Sequence, residues 1–72
     1  MSPITTIKEA NRIIAEYQGA ASDFRLPIAD SLLDPVGVNI AIITDTILAK
    51  GFEPDGFEQK DGYRLYKYKD LE

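Results

Sequence analysis

The amino-acid sequence predicts an α+β fold in which two main helices and one short helix pack with a C-terminal β-hairpin. Three observations carry that prediction. Residues 6–18 repeat apolar side chains at helical spacing, and the stretch Asp34–Phe52 is the most apolar of the chain and is bounded by a start and a stop signal. Residues 57–68 alternate aromatic and charged side chains on either side of Lys60-Asp61-Gly62. Periods of about 3.6 and 2 residues separate a helix from a strand in sequence.

Taking the elements in order, Thr6 and Glu9 form a capping-box pattern at the start of the first helix. Ile7, Ala10, Ile14 and Tyr17, with Ile13 beside them, then mark the face to be buried, while Lys8, Glu9, Arg12 and Glu16 mark the solvated side. Gly19 ends the helix, predicted over 6–18. Gly19 to Asp23 reads as a loop by composition, and Phe24-Arg25-Leu26 as a short extended piece, because Leu26 precedes a proline. Pro27 suits the first position of a short helix over 27–33, with Ile28 and Leu32 one turn apart on its inner side.

The central helix is predicted over 35–50. Asp34 is the N-cap and Pro35 the first helical residue, while Lys50-Gly51 supplies a terminal cation and a left-handed cap. Val36, Ile40, Ile43 and Ile47 form the inner face, flanked by Ala41 and Leu48. Val38, Ile42 and Ala49 fall on another face, and Asn39, Thr46 and Lys50 form the continuous polar stripe, with Asp45 apart from it. A helix apolar around most of its circumference needs cover on more than one side.

Beyond it, Glu53-Pro54-Asp55-Gly56 is turn chemistry, and the hairpin is predicted over 57–59 and 63–68. A three-residue loop is the preferred register, setting Phe57 opposite Leu65 and Glu58 opposite Arg64. A two-residue loop sets Phe57 opposite Tyr66 and Glu58 opposite Leu65 instead. Leu71-Glu72 is a dipeptide that often precedes a tag and is given no function.

Composition narrows the chemistry. Seventy-two residues make one small domain, 1–72, with a core worth roughly 3–5 kcal/mol of net stability. The chain has no Cys and no His, so it offers no thiolate nucleophile, no Cys-based zinc site and no neutral-pH imidazole. Ser2, Ser22 and Ser31 have no activating base, Asp30 and Asp34 read as caps or solvated groups, and Gly51, Gly56 and Gly62 sit at turns or a helix end rather than in a phosphate-binding loop. The expectation is a non-enzymatic protein without cofactor or metal.

Twelve acidic and eight basic residues give a net charge of −4, a field that disfavours phosphate backbones. No apolar run is long enough to span a bilayer, and the N-terminal residues lack a signal-peptide pattern, so the expected location is cytoplasmic without membrane contact.

The element order helix, extended piece, short helix, longer helix, hairpin (H1-S1-H2-H3-hairpin) is similar to that of winged-helix domains. That resemblance implies a recognition helix over Asp34–Lys50 and a wing tip at Lys60-Asp61-Gly62. It rests on order alone, and the implied recognition helix has no Arg and carries Asp45.

Two functional readings follow. The first is a protein-interaction or regulatory module, binding an unknown protein or itself, with Val38, Ile42 and Ala49 as the candidate patch. The alternative is a nucleic-acid binder using the hairpin, through Lys60, Arg64, Tyr66, Lys67, Tyr68 and Lys69, with the two tyrosines and Arg64 sharing a face on which bases stack. The acidic field places the first ahead of the second.

Overall fold

The structure is a computed structural model that describes residues 2–72. It is an α+β fold of two α-helices and a three-stranded antiparallel sheet. Helix α1 spans Ile7–Glu16, strand β1 Arg25–Ala29, helix α2 Val38–Ala49, strand β2 Phe52–Lys60 and strand β3 Tyr63–Asp70. The strand order is β1-β3-β2. Leu26 and Ile28 of β1, Tyr66 and Tyr68 of β3 and Phe52 of β2 point to one side of the sheet. There they enclose a single core with Ala10 and Ile14 of α1 and Ile43 and Ile47 of α2.

Helix α1 begins where its cap pattern places it. Thr6 is extended, and its hydroxyl accepts the Glu9 amide at 3.2 Å. The helix ends at Glu16, two residues short of the expected 6–18, because Tyr17 turns extended and its hydroxyl donates to the Ala20 carbonyl at 2.8 Å.

The short helix expected over 27–33 does not form. Pro27, Ile28 and Ala29 extend the expected strand at 24–26 into β1, and only a 3₁₀ turn over Asp30–Leu32 remains of it. Pairing with β3 and burial of Ile28 outweigh the local preference of proline for a helix start. Proline is tolerated here because its carbonyl, and so its nitrogen, points away from β3. That carbonyl accepts the Ile4 amide at 2.8 Å, and Ile4 in turn accepts the Ala29 amide at 2.9 Å. A winged-helix-like order therefore lacks its middle helix, although β1 does pair with the hairpin.

Helix α2 starts three residues later than the predicted 35–50. Asp34-Pro35-Val36-Gly37 form a turn closed by the Gly37 amide on the Asp34 carbonyl at 3.2 Å, and Gly37 is the residue at the N-cap, with φ of 77°. A side chain at that φ is strained, so glycine fits the entry. Asp34 still caps from a distance, accepting the Asn39 amide at 2.8 Å and the Val38 amide at 3.0 Å. These two bonds hold its carboxyl below the ordinary value of 3.8.

For a carboxyl whose folded value is depressed, the stabilisation is complete above the unfolded value and is lost as the pH falls through the folded one. Protection of the Val38 and Asn39 amides in hydrogen exchange is thus expected to persist at pH 5 and to fade below about pH 4. Asp34→Ala is expected to abolish it at every pH, while Asp34→Asn retains part of it.

The sequence Glu53-Pro54-Asp55-Gly56 is not a turn between elements but a bulge inside β2. Pro54 pairs with Tyr68 and Phe57 with Tyr66, so Asp55 and Gly56 together face Lys67 alone. Gly56 has φ of 86°, the conformation such a bulge asks of its glycine. The extra residue also changes the alternation. Phe52 and Phe57 are five apart and would otherwise point to opposite sides, yet both face the helix side.

The hairpin is longer than 57–59 and 63–68, and it takes the two-residue register. Asp61-Gly62 joins the pair Lys60–Tyr63, with Gln59 opposite Arg64 and Glu58 opposite Leu65. The ring of Phe57 lies 5.2 Å from that of Tyr66, an aromatic cross-strand pair that the three-residue loop does not provide.

Candidate interaction surface

Helix α2 is held to the domain by one face and leaves an apolar face uncovered. Ile43 and Ile47 are buried, with Ile40 packed beside them. Asn39, Thr46 and Lys50, expected as the outward polar stripe, are half-buried and turned towards the body of the domain. Asn39 donates its side-chain amide to the Leu32 carbonyl at 2.8 Å. Lys50 donates Nζ to the Tyr17 carbonyl at 2.8 Å, with the ring of Phe52 5.7 Å away. Carbonyl groups at the ends of α1 and the 3₁₀ turn need donors, and this stripe supplies them.

The solvent side of α2 is consequently its apolar side. Val38 is 52% and Ile42 41% exposed, and Ala49 is exposed as well. Ala41 and Leu48, read from sequence as flanks of the inner face, join them outside, and Leu48 is 40% exposed. Val36, assigned to the inner face, lies in the turn before the helix at 82% exposure. At about 100° per residue the six positions Val38, Ala41, Ile42, Asp45, Leu48 and Ala49 fall within about 120° of arc. Asp45 is the one charge among them. The signal for this grouping was present in the spacing, since the residues three and four away from Asp45 are Ala41, Ile42, Leu48 and Ala49.

The six hairpin candidates do not come together. Tyr66 and Tyr68 are in the core, at 8% and 3% exposure, so they present no face to a base. Arg64 donates to the Tyr66 hydroxyl at 3.0 Å, and its guanidinium carbon lies 4.4 Å from the centroid of the Phe57 ring. Lys60, Lys67 and Lys69 lie on the opposite face of the sheet. Lys60 pairs with Glu58 at 3.0 Å and Lys69 with Glu53 at 3.4 Å. The hydrogen bond and charge of Lys60, with the charges of Lys67 and Arg25, hold the Glu58 carboxyl below its ordinary value. Those cations are thereby partly neutralised within the chain.

A shallow cleft of about 250 Å³ opens between α1 and the edge of β1, with Glu9 and Arg25 as its ionisable groups and Ile4, Ile13 and Leu26 among its walls. Ligand pockets usually occupy about 300–1,000 Å³ with converging polar groups, and this cleft falls below that range. Among the described residues no group of three His, Cys, Asp or Glu side chains is gathered to hold a metal, and no helix is long and apolar enough to cross a membrane. No protein-family model, curated protein or solved structure matches the chain.

Proposed function

We propose that this chain is a non-enzymatic protein-interaction module that binds through the outer face of α2, in a cytoplasmic setting. The observation that carries the reading is the uncovered apolar face itself, with Val38, Ile42 and Leu48 each at least 40% exposed on a helix otherwise anchored by buried isoleucines. Contiguous apolar surface on a small domain marks a place where another surface is removed from water. The rest of the molecule is an ordinary scaffold for it: α1 is solvated on its outer side by Lys8, Arg12 and Glu16, and the hairpin cations have partners or lie apart.

The test is site-specific photo-crosslinking in the source cell. A photoreactive side chain at position 42 is expected to give a discrete protein adduct that disappears when Val38→Asp is added. The same group at position 12, on the solvated face of α1, is expected to give none. Equal labelling from both positions, or none from position 42, removes the reading.

A further inference from the structure

Asp45 identifies what the outer face of α2 is built to meet. It lies in the middle of the apolar arc, and its four neighbours at three and four residues along the helix are all apolar. Among the described residues no cation lies within ion-pair distance of it. Helix α2 contains no Lys or Arg, and Lys50, the nearest in sequence, is committed to the Tyr17 carbonyl on the other side. An apolar partner laid across this face would strip water from the carboxylate and leave it unpaired, which is costly.

A second copy of the chain does worse. Positions 42 and 45 straddle the midpoint of Val38–Ala49, so a two-fold axis there sets each Asp45 opposite Ile42 of the other copy and only about 4.5 Å along the helix from the other Asp45, which desolvates two carboxylates side by side with no cation for either. The face is also short. Twelve residues make a helix of about 18 Å, which buries on the order of a few hundred Å² per side in a helix crossing, below the about 800 Å² per partner of a stable interface. Any helix received here is therefore held loosely, and the choice between occupants falls to the charge at Asp45.

We infer that the outer face of α2 receives an amphipathic helix of a different protein, one that carries a Lys or Arg within its apolar stripe to pair with Asp45. This rests on the interaction reading above and specifies its partner. A helix suits the site because the backbone of α2 is already internally bonded, so docking proceeds through side chains at helical spacing rather than by strand addition. The cation on the partner stabilises the desolvated carboxylate and sets the register, while the isoleucine, valine and leucine contacts supply the apolar burial.

The test uses three synthetic amphipathic peptides, identical except for Lys, Gln or Glu at one central position of the apolar stripe, titrated into the ¹⁵N-labelled full chain at neutral pH. The expected result is a shift of the amides of Val38, Ile42, Asp45, Leu48 and Ala49. The Lys peptide should bind about fivefold more tightly than the Gln peptide, and the Glu peptide more weakly still. In Asp45→Asn the three affinities should converge. Sedimentation of the unliganded chain at two concentrations should show a monomer, and Asp45→Asn should raise self-association.

The inference is overturned by equal affinities for the Lys and Glu peptides, or by a Lys preference that survives Asp45→Asn and so reports only the net charge. Shifts at another surface, no binding by any peptide, or a wild-type dimer through α2 overturn it equally. Any of these together with a position-42 adduct removes the cationic helix and leaves the interaction reading standing, whereas loss of the adduct removes the reading itself.

Discussion

Ile43→Ala is expected to destabilise the domain by about 2–5 kcal/mol, and Ile42→Ala by no more than about 0.5 kcal/mol. The two residues are neighbours in sequence, have the same side chain and lie on the same helix. Ile43 is 1% exposed and belongs to the cluster with Ile14, Leu26, Ile28 and Ile47, whereas Ile42 is 41% exposed on the free face. Truncating Ile43 removes buried methyl groups and leaves a cavity that neighbours on two helices and a sheet cannot easily fill.

A domain of this size has roughly 3–5 kcal/mol of net stability, so the loss takes most or all of it. Urea unfolding followed by circular dichroism should show Ile43→Ala largely unfolded before denaturant is added. It should show Ile42→Ala with a midpoint close to that of the parent. Comparable losses in both variants would mean that α2 is rotated about its axis, and the proposed role of the outer face would go with it.

The second large effect is alkaline unfolding driven by Tyr68. Burial, and after it the neighbouring Tyr66, pushes the Tyr68 hydroxyl well above the ordinary value of 10.0. The sign follows from proton counting. Above pH 10 the unfolded chain has released this proton while the folded chain keeps it, so the unfolded state binds fewer protons and stability falls as pH rises. Below pH 10 both states hold the proton and the group has no pH dependence.

Each pH unit above about 10 should cost up to about 1.4 kcal/mol until the fold is lost. Tyr68→Phe keeps the ring that lies 5.5 Å from Phe24 and removes the ionisable group, so its stability should fall less steeply over the same range. Denaturant melts of both proteins at pH 8, 10 and 11 measure the difference. Parallel pH dependence in the two would place the sensitivity elsewhere.

These two results bear on function because they test the same division of the molecule, into a face that holds the fold and a face that does not. Only a side chain without a structural duty is free to be conserved in chemistry for a partner. Helix α2 has five such apolar positions and one carboxylate, on an exposed arc whose substitutions are expected to leave the domain folded. That property also makes the crosslinking and peptide experiments interpretable, since their variants are expected to remain folded.

Local chemistry made several features legible from sequence alone. Thr6 caps α1 through a bond to a residue three positions on, and the pattern of Ile7, Ala10 and Ile14 marks its buried side. Asp34 is recognisable as a cap, although its turn delays the helix by three residues. The separation of Val38, Ile42 and Ala49 from Ile43 and Ile47 is a matter of helical angle, and spacing alone expresses it. The α+β class followed from these periodicities, because each depends on residues close together in the chain.

The tertiary structure decided what depended on distant residues. Pro27 and Ile28 became strand because β3 lies beside them and the core receives Ile28, which no local preference for a short helix could register. The hairpin register depended on where Phe57 meets Tyr66, and the Asp55-Gly56 bulge on the need to turn Phe52 and Phe57 to one side. Alternation alone places Tyr66 and Tyr68 on a shared face that could stack bases, and they are core because the helices cover that side of the sheet. Lys50 turned inward to the Tyr17 carbonyl, 33 residues away in sequence, and Asn39 to the Leu32 carbonyl at the end of the preceding 3₁₀ turn. A periodic pattern states which residues share a face, but which face is buried is set by the partner that packs against it.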